Sequence, residues 1–383
     1  MRNPLHAPRR TAGRAGRCTE ARRTPTRLPH SALSRVLFAV YVLLVAYASL
    51  YPLAGWRDPG PSLFAFLWSP WPRWVTPFDV VANALAYLPF GALCVCAARP
   101  RLRGATAVLA ALLSGATLSI GLEAAQSLLP SRVASNLDVL ANSAGALAGA
   151  LAGERAAPWL LGEGPLRHWR AEAIVPGAEA DLGLTLLGLW LFAQLNPATL
   201  LFGAGDLRDL LAGPAGAAYA APLFIAVEAV TAASNLVAVS LLASAVVRPA
   251  ARLRALLLGL VFAALAVRAL AAAILMRPEH AFAWLTPGAQ LGLVFGLLAM
   301  LGAVALPRTV RLVLAAVLLM VATVLVNLSP ANPYTAAMLK AWEQGHFLNF
   351  NGLTRLVSAG WPFAALAYLM LLAARGGGAH PLR

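Results

Sequence analysis

Long apolar runs, separated by short charged or proline-containing segments, dominate the pattern of this chain. A helix that crosses the roughly 30 Å hydrocarbon core of a membrane needs about 20 residues. Ten runs approach or exceed that length, and the fourth is short and glycine-rich. They are residues 33–53, 79–98, 105–128, 137–152, 182–203, 219–247, 255–276, 285–305, 310–328 and 356–374. The pattern predicts an all-α, polytopic bundle of about ten transmembrane helices.

The composition supports lipid as the solvent for most of the chain. Hydrophobic residues make up 60% of the 383 residues and charged residues only 12%, whereas a soluble domain carries about 25% charged residues. The net charge of +15 would suggest nucleic acid in a soluble protein. Here the basic residues lie at the ends of the apolar runs, where membrane topology accounts for them. We therefore expect no nucleic-acid partner.

The distribution of basic residues predicts the orientation. With the N-terminus inside, the predicted inner segments hold 22 of the 30 basic residues and the outer segments hold seven. Cytoplasmic loops carry the excess of Lys and Arg in membrane proteins. An even number of spans then places both termini in the cytoplasm.

The chain divides into four predicted parts. Residues 1–32 form an Arg-rich, proline-containing tail that we expect to be disordered. Residues 33–152 form a four-helix membrane domain, residues 153–181 a cytoplasmic linker, and residues 182–383 a six-helix membrane domain. In the outer segment 54–78, four tryptophans (Trp56, Trp68, Trp71 and Trp74) are typical of a belt at the headgroup level.

Polar residues within the second, third and fourth helices fall in pairs at helical spacing, and each pair shares one helix face. Under the predicted topology all of them lie near the outer surface. The expected ligand pocket comprises Asp79, Asn83, Glu123, Gln126, Arg132, Asp138 and Asn142. The alternative is structural, because the same groups could cap helix ends or bond across helices.

Two further sets stand out in the C-terminal half. A second candidate site mixes aromatic, amide and basic residues in an outer segment: Trp342, His346, Asn349, Asn351 and Arg355. Such residues are also common at membrane interfaces. Glu228 and Arg268 lie deep within the sixth and seventh predicted helices, and pairing would lower the cost of burying each charge. We expect a salt bridge between them, or polar partners shared through Asn235 and Gln290.

The sequence predicts no metal site and no cofactor. Cys18, Cys94 and Cys96 match neither a disulfide framework nor a metal-ligand spacing, so we interpret them as packing residues. No P-loop, dinucleotide fingerprint or nucleophile elbow is present in the sequence.

The polar residues also carry a family resemblance. Asp79-x3-Asn83-x5-Pro89-Phe90-Gly91, then Glu123-x2-Gln126-x5-Arg132, then Asp138-x3-Asn142-x2-Gly145-x3-Gly149 resemble the VanZ-like family in order, spacing and placement on helices. The resemblance covers about residues 36–152. It implies a bacterial cytoplasmic membrane protein of a family named for an accessory protein of teicoplanin resistance, and it implies no particular reaction. Gly145 and Gly149 also form a small-residue face suited to close helix packing.

Three functions remain open from the sequence. The first is a VanZ-like, non-enzymatic protein that acts at the outer face on an envelope lipid, a lipid-linked cell-wall intermediate or a lipophilic glycopeptide. The second is a transporter or flippase, with Glu228 and Arg268 lining a path. The third is an enzyme acting on a lipid headgroup, with Glu123 or Asp138 as acid or base and Arg132 holding phosphate.

The predicted topology can be tested with single cysteines introduced at positions 71, 101 and 346 of a variant that lacks the native cysteines. A membrane-impermeant thiol reagent added outside the cell should label positions 71 and 346, and it should label position 101 only after the membrane is permeabilised. Labelling of position 101 in intact cells would reverse the orientation.

Overall fold

The protein is all-helical wherever the computed structural model describes it, which is residues 32–58, 60, 62–72, 76–161, 164–208, 221–249, 252–275, 278–328 and 348–377. In that part of the chain the helices are α1 (Leu33–Leu50), α2 (Pro77–Ala98), α3 (Ala105–Gln126), α4 (Asn136–Leu161), α5 (Pro165–Ala173), α6 (Ala178–Ala193), α7 (Ala221–Val246), α8 (Leu253–Leu275), α9 (Pro287–Ala303), α10 (Arg308–Leu328) and α11 (Leu348–Gly377). Short 3-10 turns lie at Ala65–Trp68 and Pro278–His280. The all-α prediction is confirmed.

Seven helices in the described residues are long and apolar enough to cross a membrane: α1, α2, α3, α7, α8, α10 and α11. Helix α9 is apolar but shorter. Each of the ten predicted runs contains or overlaps one helix, while the number of spans and the side of the termini remain predictions. Residues 1–31 of the predicted tail 1–32 lie outside the described residues.

Helix boundaries differ from the sequence pattern chiefly at α4, α6 and α11, and α11 begins at Leu348 rather than near residue 356. Helix α4 continues to Leu161, and α5 occupies part of the predicted linker. Helix α6 ends at Ala193, although the apolar run continues to residue 203. The reason lies in Pro197, which lacks a backbone N–H and disfavours the helical conformation at the preceding Asn196.

Residues 194–207 follow α6 as a non-helical segment, which we call the buried segment. Leu201, Phe202 and Ala204 are at most 1% exposed. The Asn327 side chain holds the segment at two points: its Nδ2 donates to the Gly205 carbonyl at 2.7 Å, and its Oδ1 accepts from the Leu207 N–H at 2.8 Å. These bonds supply partners that a helix would have supplied, as irregular backbone inside a membrane protein requires.

The closest packing in the bundle joins α2 and α4 through glycine. A Cβ atom at Gly145 or Gly149 would overlap the carbonyl oxygen of Ala84 or Leu88, and one at Gly153 would lie 2.7 Å from the Ala92 Cα. The two backbones therefore touch directly. The predicted small-residue packing face is confirmed, and it sets the register of α2 against α4.

Residues 31–383 form one compact unit. Helix α1 contacts α2 and α3, and it also contacts α6 and α11. It thereby joins the first four helices to the remainder of the described chain.

The α2–α4 contact predicts a large difference between two glycine-to-alanine variants. Gly149→Ala should lower the unfolding free energy by about 1–3 kcal/mol, because an added methyl group cannot fit between packed backbones. Gly121→Ala is the matched control, since a Cβ there meets nothing within 4 Å; it should be neutral or stabilising by up to about 1 kcal/mol. Thermal unfolding in detergent micelles measures both, and equal midpoints would contradict the close contact.

Candidate functional site

The ends of the first four helices bring the predicted pocket residues to one level. We call this the polar end: the end of the bundle at which α1 and α3 finish and α2 and α4 begin. Helix α2 begins there with a capping box, in which the Thr76 hydroxyl accepts from the Asp79 N–H at 3.2 Å and the Asp79 carboxylate accepts from the Thr76 N–H at 3.2 Å. Asp79 is exposed and has the structural role of a cap.

Glu123 connects α3 to the start of α4. Glu123 is only 3% exposed, and its Oε2 accepts from the Ser135 N–H at 2.8 Å. Ser135 in turn accepts from the Leu137 N–H at 3.2 Å through its hydroxyl. Because the N-terminus of a helix carries partial positive charge, this position stabilises a buried carboxylate.

A second polar layer lies one helical turn deeper than Glu123. The Asn142 Nδ2 donates to the Ser119 hydroxyl at 2.9 Å, and the Tyr87 hydroxyl lies within electrostatic range of both Ser119 and Glu123. Ser119, Tyr87 and Asn142 are all buried. The Asn142 Oδ1 is buried without a hydrogen-bond partner in the part of the chain that the structure describes. We call Tyr87, Ser119 and Asn142 the buried polar layer.

Asn83 and Asp138 form a third element of the polar end. The Asn83 amide and the Asp79 carboxylate both lie within electrostatic range of the half-buried Asp138 carboxyl. The structure thus brings Asp79, Asn83 and Asp138 together at the start of α2 and α4, beside the buried polar layer.

Arg132 interacts with backbone and amide oxygens. Its Nε donates to the Tyr51 carbonyl at 3.1 Å, and its Nη2 donates to the same carbonyl and to the Asn349 Oδ1. The predicted contact between Arg132 and a carboxylate is therefore wrong for the described residues. Burial lowers the pKa of Arg132, and Glu123 partly opposes this effect from a longer distance. The Tyr51 carbonyl, just beyond the end of α1, offers an acceptor at the negative end of a helix.

Gln126 completes this side of the polar end. Its Nε2 donates to the Ser49 carbonyl at 2.9 Å, in the last turn of α1. Both Gln126 and Arg132 therefore tie the region after α3 to the end of α1.

The second candidate set is divided. Trp342 and His346 lie outside the described residues. Asn349 joins the polar end through Arg132, while Asn351 is buried and Arg355 acts electrostatically on Asp206. The structure therefore places one member of this set beside the predicted pocket, and places Arg355 towards the buried segment.

Glu228 and Arg268 are both buried, at 1% and 2% exposure, but they do not form the predicted salt bridge. Arg268 donates to the Asn196 carbonyl at 2.7 Å, to the Thr199 hydroxyl at 2.9 Å and to the Thr199 carbonyl. The non-helical backbone of the buried segment offers these carbonyls, and they satisfy the guanidinium directly. Glu228 lies beside Thr286, and its interaction with Arg268 is a longer-range electrostatic one.

The expected shared partners of this pair are also wrong. Asn235 donates to the Thr231 carbonyl at 3.2 Å and Gln290 to the Leu285 carbonyl at 3.1 Å. Each amide bonds within or just before its own helix, so neither bridges the two charges.

Sequence reasoning missed Tyr87 and Ser119. Both extend the predicted pairs by one helical turn, since Tyr87 follows Asn83 by four residues and Ser119 precedes Glu123 by four. Extending each polar stripe along its helix face would have found them. The cysteines fit the packing interpretation in so far as Cys94 and Cys96 are free, with Cys96 buried; Cys18 lies outside the described residues. Among the described residues there is no group of three potential metal ligands.

Residues 38–154 match the family model described as VanZ/LLP1, which confirms the resemblance found in the sequence. The matched region extends from α1 into α4 and contains all seven predicted pocket residues. No curated protein and no solved structure matches the chain.

The link between Arg132 and Asn349 predicts coupling between the matched region and α11. Arg132→Gln and Asn349→Ala should each destabilise the protein, and the double variant should lose less than the sum of the two, by about 0.5–3 kcal/mol. Arg101→Gln combined with Asn349→Ala is the matched control, because Arg101 is exposed in the loop before α3. Strict additivity in both cycles, measured by thermal unfolding in detergent, would show that the contact contributes nothing.

Proposed function

We propose that this multi-pass membrane protein of VanZ type acts in the bacterial cytoplasmic membrane by binding an amphipathic envelope molecule at its polar end. The ligand combines an apolar chain with a headgroup rich in hydroxyl and amide groups. An envelope lipid, a lipid-linked cell-wall intermediate and a lipophilic glycopeptide share this chemistry. The proposed action is recognition, without a chemical step.

The observation that carries this proposal is the buried polar layer. Burying a polar group without a partner costs about 1–3 kcal/mol in proteins, and yet the Asn142 Oδ1 is buried with no partner in the described chain. Asn142 follows Asp138 by one turn of α4, and its partner Ser119 precedes Glu123 by one turn of α3. A headgroup hydroxyl or amide that donates to this oxygen would recover the cost.

The surroundings of the polar end suit a ligand that lies partly in the bilayer. Trp56, Trp68 and Trp71 are between 50% and 81% exposed in the segment between α1 and α2. Aromatic rings of this kind are enriched at the membrane–water interface. Apolar chains of a ligand would extend along the bundle while its headgroup reaches the polar end.

A second candidate, a transporter or flippase, is favoured by the buried segment. Non-helical backbone at membrane depth is found where it is buried in protein or lines a cavity, and discontinuous helices of this kind form substrate sites in secondary transporters. The segment is also the place where the buried Arg268 is held.

Binding by purified protein in lipid nanodiscs tests the proposal with three probes: teicoplanin, a polyprenyl-linked cell-wall precursor and phosphatidylglycerol. The wild type should bind at least one probe. Asn142→Ala should weaken that binding about threefold to tenfold through the loss of one hydrogen-bonding group. Ser143→Ala is the matched control, because Ser143 bonds only to the Val139 carbonyl of its own helix, and its affinity should equal that of the wild type.

Each alternative has its own outcome in these measurements. Binding of no probe, or equal affinities for Asn142→Ala and Ser143→Ala, would refute recognition at the buried polar layer. A chemically altered probe after incubation would favour the lipid-headgroup enzyme. Movement of the probe between leaflets of reconstituted vesicles would favour the transporter.

A further inference from the structure

A cleft of about 460 Å³ opens at the end of the C-terminal helices where α8 begins and α9 finishes. Its lining consists of Arg252, Leu253, Arg254, Ala255, Val304 and Ala305. Two guanidinium-bearing residues thus flank a cleft whose other lining residues are apolar. The cleft belongs to neither the polar end nor the buried segment.

The two arginines of the cleft are exposed. Within the part of the chain that the structure describes, neither guanidinium donates a hydrogen bond or forms an ion pair. The two carboxylates at the start of α6 do not offset this charge, because Asp181 is paired with Arg170 and Glu179 with Arg375. The positive charge of the cleft is therefore free to attract an anion.

The neighbouring arginines are engaged elsewhere. Arg248 donates to the Ile174 carbonyl at 3.0 Å, and Arg311 donates to the Ser244 hydroxyl at 2.9 Å. Both bonds go to groups that carry no net charge, so they leave the local excess of positive charge in place. Arg252 and Arg254 differ from these two arginines because they line the cleft and their guanidiniums form no hydrogen bond within the described residues.

An exposed apolar stripe runs along α8 from the cleft. Arg254, Leu258 and Phe262 follow one another at intervals of four residues, so they share one helix face. Leu258 is 44% and Phe262 is 74% exposed. The stripe continues to Leu270 and Ile274, at 59% and 65% exposure. A basic group at the head of a long apolar surface matches the two ends of a phospholipid.

We propose that the Arg252–Arg254 cleft binds the phosphate of an anionic phospholipid, whose acyl chains lie along the exposed stripe of α8. A guanidinium presents paired N–H donors that suit phosphate oxygens. The predicted topology places this cleft on the cytoplasmic side, where basic pockets between transmembrane helices bind anionic headgroups. The proposal is independent of the ligand at the polar end, which involves different helices.

Lipid exchange into nanodiscs, followed by native mass spectrometry, tests the cleft with phosphatidylglycerol and phosphatidylcholine as probes. The wild type should retain phosphatidylglycerol in preference to phosphatidylcholine. Since each arginine near an anionic surface contributes about fivefold in affinity, Arg252→Gln/Arg254→Gln should weaken phosphatidylglycerol binding about twenty- to thirtyfold. The same binding should fall as the salt concentration rises, because both guanidiniums are exposed and screened.

The control variant is Arg101→Gln, which removes one exposed positive charge at the loop before α3, away from the cleft residues. It should retain the preference for phosphatidylglycerol. Equal loss in Arg101→Gln and the double variant would show a general effect of net charge and would overturn a specific site. No preference in the wild type would also overturn it.

Inorganic phosphate distinguishes a lipid site from a phosphate site. Phosphate at millimolar concentration should not displace phosphatidylglycerol, because it lacks chains to pack on Leu258 and Phe262. Complete displacement by phosphate would overturn the lipid as the occupant. Phe262→Ser should weaken phosphatidylglycerol binding while leaving the arginines in place, and an unchanged affinity would contradict the proposed path of the acyl chains.

Discussion

Direct backbone contact between α2 and α4 places the other parts of the polar end. Glycines at positions 145, 149 and 153 of α4 leave no room for a side chain against α2, so the two helices can pack in only a narrow range of registers. In the observed register Asn83 of α2 lies within electrostatic range of Asp138 of α4. Since lipid offers no hydrophobic driving force between helices, close van der Waals packing of this kind and polar bonds across it stabilise the bundle.

Backbone carbonyls, rather than carboxylates, hold Arg132 and Arg268, whereas the half-buried Arg99 and Arg170 pair with Glu154 and Asp181. Arg132 bonds to the carbonyl just beyond α1, and Arg268 bonds to carbonyls beyond the end of α6. The Tyr51 carbonyl lies at the negative end of α1, and the Asn196 and Thr199 carbonyls belong to non-helical backbone of the buried segment. An arginine placed there gains hydrogen bonds without requiring a carboxylate to be desolvated beside it, which is the main cost of a buried salt bridge.

The C-terminal helices are in direct contact with the region of VanZ type. Asn349 of α11 accepts from Arg132 across 217 residues of sequence, and Gly352 packs against the Tyr51 ring without space for a Cβ. Helix α11 therefore supplies part of the wall of the polar end. Helix α11 also bonds to the buried segment, since the Ser358 carbonyl accepts from the Gly205 N–H at 2.8 Å.

The sequence by itself determined the all-helical class, the approximate position of each helix, the α2–α4 packing face and the level of the pocket residues, because apolar length and helical periodicity are local properties. Only the tertiary structure decided the partners of the polar groups. From the sequence, Glu123 could have bonded to Arg132 or to the start of α4, and the structure shows the bond to the Ser135 N–H. Arg268 could have bonded to Glu228 or to backbone carbonyls, and the structure shows the carbonyls of the buried segment. Such choices depend on distances between separate helices and on the desolvation of each group, and no local pattern encodes them.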